Sequence, residues 1–473
     1  MSPTEAASVV AEHVTAVWAD DVLPMLHDYI RIPCVSQAYD PDWKAHGHQD
    51  EATEMIRAWC AGRAIAGLTV EVHELPGRSP LIVAEVPAFA GGPAGDTVLL
   101  YGHCDKQPEM TGWREDLGPW KPVLEGDRLY GRGGADDGYA AFASLLAIEA
   151  AQLAGLPHSR LVVLIEASEE SGSPDLPVYL EALADRIGSP TLVLCLDSGC
   201  MDHERMWVTT SLRGLVGGDL RVDILSEGVH SGEASGVVPS SFRIARILLD
   251  RLEDSATGEI RLADLHVTIP DDRRRQAAET AAEFPIGGHF PFVGDARPMV
   301  DDPTEQLLAR TWRPSLSITG VDGIPPVALA GNVLRPHTTL HLSLRLPPTC
   351  DCERALAAVE ACLTADPPYG ATVSFHGHSG PGWNAPTFAP WLQRALDDAS
   401  TTAFGKPTRA FGEGGSIPFM GMLGDMFPDA QFVITGALGP GANAHGPNEF
   451  LHVPTARKLT ECLAHLLHAH ATR

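Results

Sequence analysis

The fold is decided by the stretch Leu161-Val162-Val163-Leu164-Ile165-Glu166-Ala167-Ser168-Glu169-Glu170-Ser171-Gly172, which runs from the most apolar segment of the chain into two adjacent carboxylates. A continuous apolar run of this length suits a strand buried on both faces of a sheet. Adjacent carboxylates repel each other, so a buried pair needs a cation or a proton. A solvated loop is the plain alternative. However, the strand would lead Glu169 and Glu170 to the carboxyl edge of a sheet, where ligand crevices form in open α/β folds.

Working outward, other apolar runs predict strands of the same kind, and helical stretches separate them. The runs are Leu81–Ala84, Val98–Tyr101, Thr191–Leu196 and Gln431–Thr435. Alternation of such strands with helices is typical of a mostly parallel sheet covered by helices. The sequence therefore predicts an α/β domain built on a mostly parallel sheet.

The pattern changes between about Trp207 and Trp383, where strands alternate apolar and polar residues. Leu340, Leu342, Leu344 and Leu346 point one way, and His341, Ser343 and Arg345 the other. Such alternation indicates an antiparallel sheet with one covered face. The covering helix is predicted after Pro239, with apolar residues at helical spacing: Phe242, Ile244, Ile247, Leu248 and Leu252.

We therefore predict a smaller α+β domain, residues 208–383, inserted in a larger α/β domain made of residues 1–207 and 384–473. Two domains are also expected from the length of 473 residues, at which a single hydrophobic core no longer grows. Residues 271–314, rich in Arg, Asp, Pro and Gly, predict an extended excursion of the insert.

Composition excludes several classes of function. The chain has 34 Lys and Arg against 61 Asp and Glu, a formal charge of -27, which repels nucleic acid and anionic membranes. It has no apolar run that would span a bilayer and no signal region after Met1, so we expect a cytoplasmic protein without membrane or nucleic-acid partners. The nine Cys are odd in number and scattered, which fits a reducing compartment.

His103 and Asp105 follow one predicted strand in Gly102-His103-Cys104-Asp105. Residues two apart on extended backbone face the same side, so Asp105 can orient the His103 ring. Alone, this pair is more typical of an ordinary hydrogen bond. Asp197 ends the next predicted strand, and His445 follows the last one.

The segment Gly131-Arg132-Gly133-Gly134-Ala135-Asp136-Asp137-Gly138 enters a predicted helix. A phosphate loop is the obvious rival, but the spacing differs and no Lys-Ser/Thr pair follows. Either Asp caps the helix, or Asp136 bridges two metal ions. Polar residues at four strand ends then favour a two-metal site over coincidence.

Taken in order, these motifs resemble those of the aminoacylase/carboxypeptidase clan of co-catalytic metallopeptidases. The segments Gly412–Pro418 and Val229-His230-Ser231-Gly232 are similar to its carnosinase and cytosolic nonspecific dipeptidase branch. The resemblance covers nearly the whole chain.

The resemblance implies a role for each residue of the motifs. His103 and Asp197 would bind one divalent ion, Glu170 and His445 the other, and Asp136 both. Glu169 would be the general base, and Asp105 would support His103. It also implies a cis peptide between Asp136 and Asp137.

For the insert, the resemblance implies a lid and dimerisation domain that delivers His230 to the active site of a partner in a homodimer. Without the resemblance, a hydrogen bond within its own loop is an equally good interpretation of His230. Arg345 could in the same way be an ordinary solvated side chain. The remaining implied residues contact a small peptide: Arg345, Gly415 and Ser416 at its carboxylate, Glu413 at its amino end, and His378 and Asn332 nearby. Asn332 stands where members of the family often carry Thr, and Lys106 stands where a small apolar residue is common.

The function predicted from these residues is hydrolysis of the amide bond of dipeptides or short peptides. Two divalent ions bring four positive charges, which Asp136, Glu170, Asp197 and a bridging hydroxide balance. Glu169 would take the proton of the attacking water, and His230 would stabilise the oxyanion. Imidazole and carboxylate ligands suit Zn or Mn and permit Co. One alternative is an N-acyl-amino-acid amidase, which would need no free amine on its substrate. The other is a noncatalytic peptide binder, and the intact Glu169 and ligand set argue against this second alternative only.

Overall fold

The computed structural model describes residues 2–415 and 418–473, which form two compact units. The larger unit contains the residues up to 209 together with 385–411 and 422–473, and the inserted unit contains residues 210–384 and 412–421. The sequence-based division had placed residues 412–421 with the larger domain. That division, and the role of the insert as a lid, stay predictions.

The larger unit is built on a mixed sheet. In spatial order its strands are Thr69–His73, Leu81–Val86, Arg160–Glu166, Thr97–His103, Pro190–Cys195, Gln431–Ile434 and Trp207–Leu212, and the last of these also pairs with Trp383–Asn384 and Arg409–Glu413. The four strands from Arg160–Glu166 to Gln431–Ile434 run parallel, whereas their neighbours on both sides are antiparallel. The predicted α/β class is confirmed, and the parallel part is the centre of the sheet.

Helices cover this sheet and share one apolar core with it. Ala140–Leu153 is rich in Ala and buried along almost its whole length, which lets it pack closely on the strands. The helices and helical turns of the larger unit are Pro3–Val17, Trp18–Val22, Leu23–Arg31, Trp43–His46, His48–Ala61, Gly134–Gly138, Ala140–Leu153, Glu169–Ser171, Leu176–Ala182, Ala184–Ile187, Pro390–Phe404 and Val453–Ala471. No helix within the described ranges is long and apolar enough to cross a membrane.

Strand order places the strand Thr97–His103 where the direction of the chain reverses. From this strand the chain continues into its neighbour Arg160–Glu166 on one side, and then into Pro190–Cys195 on the other side. Such a reversal opens a crevice beyond the carboxyl ends of the strands. A smaller sheet contains the strands Val123–Glu125, Arg128–Tyr130 and Phe450–His452. The segment of Asp136 begins directly after the second of these strands, and the loop of His445 ends directly before the third.

The inserted unit is an antiparallel sheet in the order Ser315–Asp322, His337–Leu346, Gly214–Asp223 and Thr372–Gly380. The predicted alternation is correct, because Leu340, Leu342, Leu344 and Leu346 are all buried. They share a core with the helices Ser241–Leu252 and Cys352–Thr364.

The helix Ser241–Leu252 begins where the Ser240 side chain accepts a hydrogen bond from the Arg243 N–H. Ile244, Leu248 and Leu252 are buried, as predicted. Phe242 is not, being 45% exposed, because a position two residues before Ile244 lies on the opposite side of a helix.

The predicted extended excursion at residues 271–314 is wrong in part, since it contains the helices Asp271–Glu283 and Pro303–Thr311. The sequence contains a clear signal for the start of the second helix. The Asp302 side chain accepts a hydrogen bond from the Glu305 N–H, and Pro303 occupies the first helical position. Other short elements complete the unit: Val229–His230, Ser231–Ala234, Ala263–Leu265, Ile286–His289, Val327–Leu329, Val333–Leu334, Pro368–Gly370 and Trp383–Asn384. Three elements have residues in both units: Trp207–Leu212, Arg409–Glu413 and Pro418–Met426.

Candidate metal centre

His103 ends the central strand of the larger unit and is fully buried. Its Nδ1 lies 3.4 Å from Asp105 Oδ1, and its Nε2 lies 3.2 Å from Asp136 Oδ1. Burial by itself lowers the pKa of an imidazole, but the hydrogen bonds with Asp105 and Asp136 raise the pKa of His103 well above its usual value. The ring is therefore held at both nitrogens by carboxylates.

Asp105 lies beside two functional segments at once. Its Oδ1 accepts the backbone N–H of Glu169 and its Oδ2 that of Glu170, both at 3.0 Å. The same buried carboxylate faces His103 Nδ1. Asp105 thus fixes the turn that carries both glutamates relative to the His103 ring.

Glu169 and Glu170 form the short helical turn Glu169–Ser171 directly beyond the strand Arg160–Glu166. Burial raises the pKa of both carboxyls well above the usual range, and nearby carboxylates add to the effect: Asp197 for Glu169 and Asp136 for Glu170. A site that gathers acids in this way favours a bound cation.

Asp136 joins the two histidines. Its Oδ1 faces His103 Nε2 at 3.2 Å and its Oδ2 faces His445 Nε2 at 3.0 Å. Despite burial, these contacts hold the pKa of Asp136 far below its usual value. The peptide between Asp136 and Asp137 is cis, as the resemblance implies. One carboxylate with an imidazole at each oxygen has the geometry of a bridging ligand.

His445 is the most exposed of the five predicted ligands, at 56%. Its Nε2 is 3.3 Å from Glu170 Oε2, and its backbone has a positive φ of 63°. The hydrogen bond with Asp136 raises the pKa of His445 to about 9.

Two overlapping groups of donor atoms emerge, each with all atoms within 4.8 Å of one another. One comprises His103, Glu169 and Asp197, and the other His103, Asp136 and Glu170. Asp197 Oδ2 lies 3.9 Å from His103 Nε2. Imidazole nitrogens and carboxylate oxygens are suitable ligands for divalent ions such as Zn or Mn. Asp136, Glu169 and Glu170 each face the imidazole of His103 or His445, so both kinds of ligand are present side by side. The donor set therefore fits a pair of metal ions.

In the inserted unit, His230 and Asn332 lie on one two-stranded ribbon. His230 is paired with Val333, and the Asn332 carbonyl accepts the N–H of Ser231. His230 Nδ1 accepts the Gly232 N–H at 3.1 Å, so the loop hydrogen bond considered for this residue exists. Both His230 and Asn332 are exposed.

Arg345 stands on the strand His337–Leu346, on the face opposite the buried leucines and directly across from Ser315. Sequence reasoning missed its neighbour Arg213, which is buried and donates through Nη2 to Ser315 Oγ and to the Arg345 carbonyl. The Arg213 N–H binds the Gly415 carbonyl at 2.9 Å. Arg213 thus links the strand of Arg345 to the turn at Gly415.

Burial, followed by the like charges of Arg345 and Arg310, lowers the pKa of Arg213 to about 9. A Cβ added at Gly414 would lie 3.6 Å from Arg310 Nε, so Arg310 runs along the same turn. These three arginines make a local positive region in an acidic chain.

The other predicted peptide contacts are placed as follows. His378 stands opposite Gly217, where a Cβ would meet the His378 ring at 2.7 Å, so the glycine makes room for the ring. Glu413 ends the strand Arg409–Glu413 and is half-buried. Ser416 lies outside the described residues.

Lys106, noted in the sequence as an unusual neighbour of Asp105, is completely buried. Its Nζ donates to the carbonyls of Tyr29 and Ile32 at 2.7 and 2.8 Å. Lys106 therefore caps the end of the helix Leu23–Arg31, and burial lowers its pKa.

Comparison with known proteins agrees with this geometry. The model of Peptidase family M20/M25/M40 matches residues 99–469. The Cysteinylglycine-S-conjugate dipeptidase of Corynebacterium striatum is 29% identical over 425 residues, which are 86% of this chain and 89% of the relative. The Cys-Gly metallodipeptidase of Saccharomyces cerevisiae is 27% identical over 378 residues, 77% of each chain.

Solved structures show the same fold. Human carnosine dipeptidase 1 covers 99% of this chain and 100% of its own, with a TM-score of 0.72 at 20% identity. The M20 family metallo-carboxypeptidase Sso-CP2 from Sulfolobus solfataricus covers 96% of this chain and 100% of its own, with a TM-score of 0.76 at 19% identity.

Proposed function

The chain belongs to Peptidase family M20/M25/M40, and from this membership we propose that it is a metal-dependent dipeptidase. The membership confirms the resemblance inferred from the motifs. Relatives named as Cys-Gly and β-Ala-His dipeptidases support dipeptides as the substrate class. The observation that carries the proposal is the meeting of His103, Asp136 and Glu170 at the carboxyl edge of one sheet.

In the proposed site, His103 and Asp197 would hold one divalent ion, Glu170 and His445 would hold the other, and Asp136 would serve both. Such ions lower the pKa of water and polarise the scissile carbonyl. Asp105 fixes the His103 ring and the backbone of both glutamates. The negative charges of the carboxylates would balance most of the positive charge of the two ions, so the loaded site would be close to neutral.

Glu169 is the proposed general base. It takes a proton from the attacking water and gives it to the leaving amine, a role that contributes about 10²–10⁴-fold to rates. Its Oε2 lies 4.0 Å from His103 Nε2, so the carboxylate is placed beside the proposed metal ligands.

The inserted unit is proposed to bind the ends of the dipeptide. Arg345, with Gly415 and Ser416, takes the carboxylate, and the positive region around Arg213 and Arg310 supports this choice. Glu413 binds the amino end, and His378 and Asn332 flank the substrate.

We also propose a homodimer formed through the inserted unit, in which His230 of one subunit stabilises the oxyanion in the other. Large apolar side chains exposed on this unit support the interface: Val237, Ile318, Val321, Val327, Leu329 and Val333. Five of these six side chains lie within residues 318–333, and a contiguous apolar surface of more than a few hundred Å² marks an interaction site.

Subunit complementation tests this arrangement. His230→Ala and Glu169→Gln should each be inactive, whereas refolding them together should restore activity, because a mixed dimer pairs an intact Glu169 with an intact His230. If mixed dimers of the two variants form and activity does not recover, His230 does not act in the active site of the other subunit.

The proposed metals are Zn or Mn, with Co permitted. A cytoplasmic location is proposed because all nine cysteines are unpaired thiols, which a reducing compartment maintains.

The decisive assay uses a panel of free and N-acetylated dipeptides, with metal-stripped protein and added Zn, Mn or Co. A dipeptidase should cleave the free peptides and depend on the metal. Exclusive cleavage of the acetylated substrates would identify an N-acyl-amino-acid amidase instead, and unchanged cleavage by stripped protein would contradict the metal mechanism.

A further inference from the structure

The ligand His445 is held in an unusual way compared with the other proposed ligands. The side chains of His103, Asp136, Glu170 and Asp197 are 0, 7, 3 and 9% exposed, so packing restrains them. His445 is 56% exposed and stands on a loop. Apart from the contacts of its Nε2 with Asp136 and Glu170, the position of the ring therefore depends on the backbone of that loop.

The loop is fixed by a buried ion pair. Arg132 and Glu449 are 1% and 0% exposed, and Arg132 Nη1 binds Glu449 Oε2. Arg132 Nη2 also donates to the carbonyl of Gly446, the residue after His445, at 2.9 Å. One guanidinium thus binds the His445 loop at two points.

The same pair binds the loop of Asp136. Glu449 Oε1 accepts the Gly133 N–H at 2.9 Å, and the Glu449 carbonyl accepts the Gly131 N–H at 3.0 Å. Arg132 itself belongs to this loop and donates through its N–H to the Pro119 carbonyl. The pair therefore spans the two segments that present Asp136 Oδ2 and His445 Nε2, which lie 3.0 Å apart.

We infer that Arg132 and Glu449 are positioning residues that set the spacing between His445 and Asp136, and so control retention of the metal ion held by His445 and Glu170. This inference rests on the proposed two-metal function. Neither side chain is a ligand. Their hydrogen-bond partners are each other and backbone groups, and Arg132 also lies over the ring of Trp113, so they act on the metal through the two loops.

The alternative is that the pair only stabilises the fold. Arg63 and Glu149 provide a matched control, because they form another largely buried ion pair in the same unit, with 12% and 8% exposure. Arg63 also binds Asp21, and none of these residues belongs to the proposed metal centre. Glu149→Gln should lower thermal stability and leave metal binding intact.

The test is calorimetric titration of Zn or Mn into metal-free parent protein, Glu449→Gln, Arg132→Lys and Glu149→Gln. Outer partners of ligands typically contribute 10–100-fold to metal affinity, so one of two binding events should weaken by about that factor in the first two variants. Arg132→Lys keeps the charge but replaces the planar fork of donors by one nitrogen, which cannot occupy the positions of both Nη1 and Nη2 from which Arg132 binds Glu449 and the Gly446 carbonyl. High metal concentration should restore kcat in both.

The inference is overturned if both variants bind two ions like the parent, if both binding events weaken equally, or if Glu149→Gln weakens metal binding to the same extent. Should Glu449→Gln not fold, Arg132→Lys decides by the same criteria. A parent that binds two ions but cleaves no dipeptide contradicts the proposed function alone.

Discussion

The two units hold their predicted functional side chains in different ways. At the sheet edge of the larger unit, His103, Asp105 and Glu170 are buried, and hydrogen bonds to the backbone or between side chains fix them. In the inserted unit, His230 and Asn332 are exposed, and Arg345 is only half-buried. The difference teaches that the fold itself packs the side chains of the proposed metal centre, whereas it leaves the proposed peptide contacts His230, Asn332 and Arg345 accessible to solvent. Substitutions should therefore affect metal binding and turnover in the first region, and substrate binding in the second.

The largest effect is expected for Glu169→Gln. Without a base, kcat should fall by about 10²–10⁴-fold while both metal ions stay bound. Steady-state kinetics and metal analysis of the purified variant measure this, with Glu170→Gln as the control that loses metal. Glu169 also lies in a donor group with His103 and Asp197. Loss of metal from Glu169→Gln would therefore show that Glu169 is a metal ligand and would contradict its assignment as the general base.

Asp105→Asn should have the next largest effect, because the amide replaces one of the two acceptors that bind Glu169 and Glu170. Hydrogen bonds to charged groups contribute about 1.5–3 kcal/mol, and support of a metal ligand about 10–100-fold in affinity. Chemical unfolding and metal titration measure both losses. If stability falls but metal affinity does not, Asp105 is a structural residue, and the metal centre is less dependent on its surroundings than we infer.

Arg345→Gln tests the second region. The KM for dipeptides should rise about 10–100-fold, as expected for one lost charge-assisted hydrogen bond, with unfolding unchanged. A dipeptide whose C-terminus is amidated serves as the control substrate, because it has no carboxylate for Arg345 to bind. Parent and variant should have similar KM values for this substrate. An equal loss on both substrates would place Arg345 elsewhere than at the carboxylate.

The smallest effect is a pH dependence of metal-free protein. The pKa of His445 is about 9 against 6.5 for the free side chain, so its pairing with Asp136 stabilises the fold fully below pH 6.5, and this stabilisation is lost as pH rises through about 9. The raised pKa values of Glu169 and Glu170 act in the same direction.

The melting temperature of metal-free protein should therefore fall between pH 6.5 and 9, and the rise produced by added metal should grow over this window, because the ligands deprotonate. His445→Gln should flatten the dependence. A melting temperature that increases with pH would contradict the sign.

Local sequence was sufficient for the α/β class and the alternation of the inserted sheet. Apolar runs and period-two patterns reflect burial directly, so Leu161–Glu166 and Leu340–Leu346 could be assigned without tertiary information. The helices at Asp271–Glu283 and Pro303–Thr311 were missed because charged and turn residues obscured an available capping signal at Asp302. Phe242 shows that an apolar residue near a helix stripe need not face the core.

The sequence by itself determined which side chains stand at the ends of the central strands, because strand direction brings His103, Glu170 and Asp197 to one edge. Only the tertiary structure decided how they are held. Asp105 binds a turn 64 residues away, and Arg132 binds Glu449 across 317 residues. Contacts over such separations leave no local periodicity, since they depend on how loops meet after the sheet has formed.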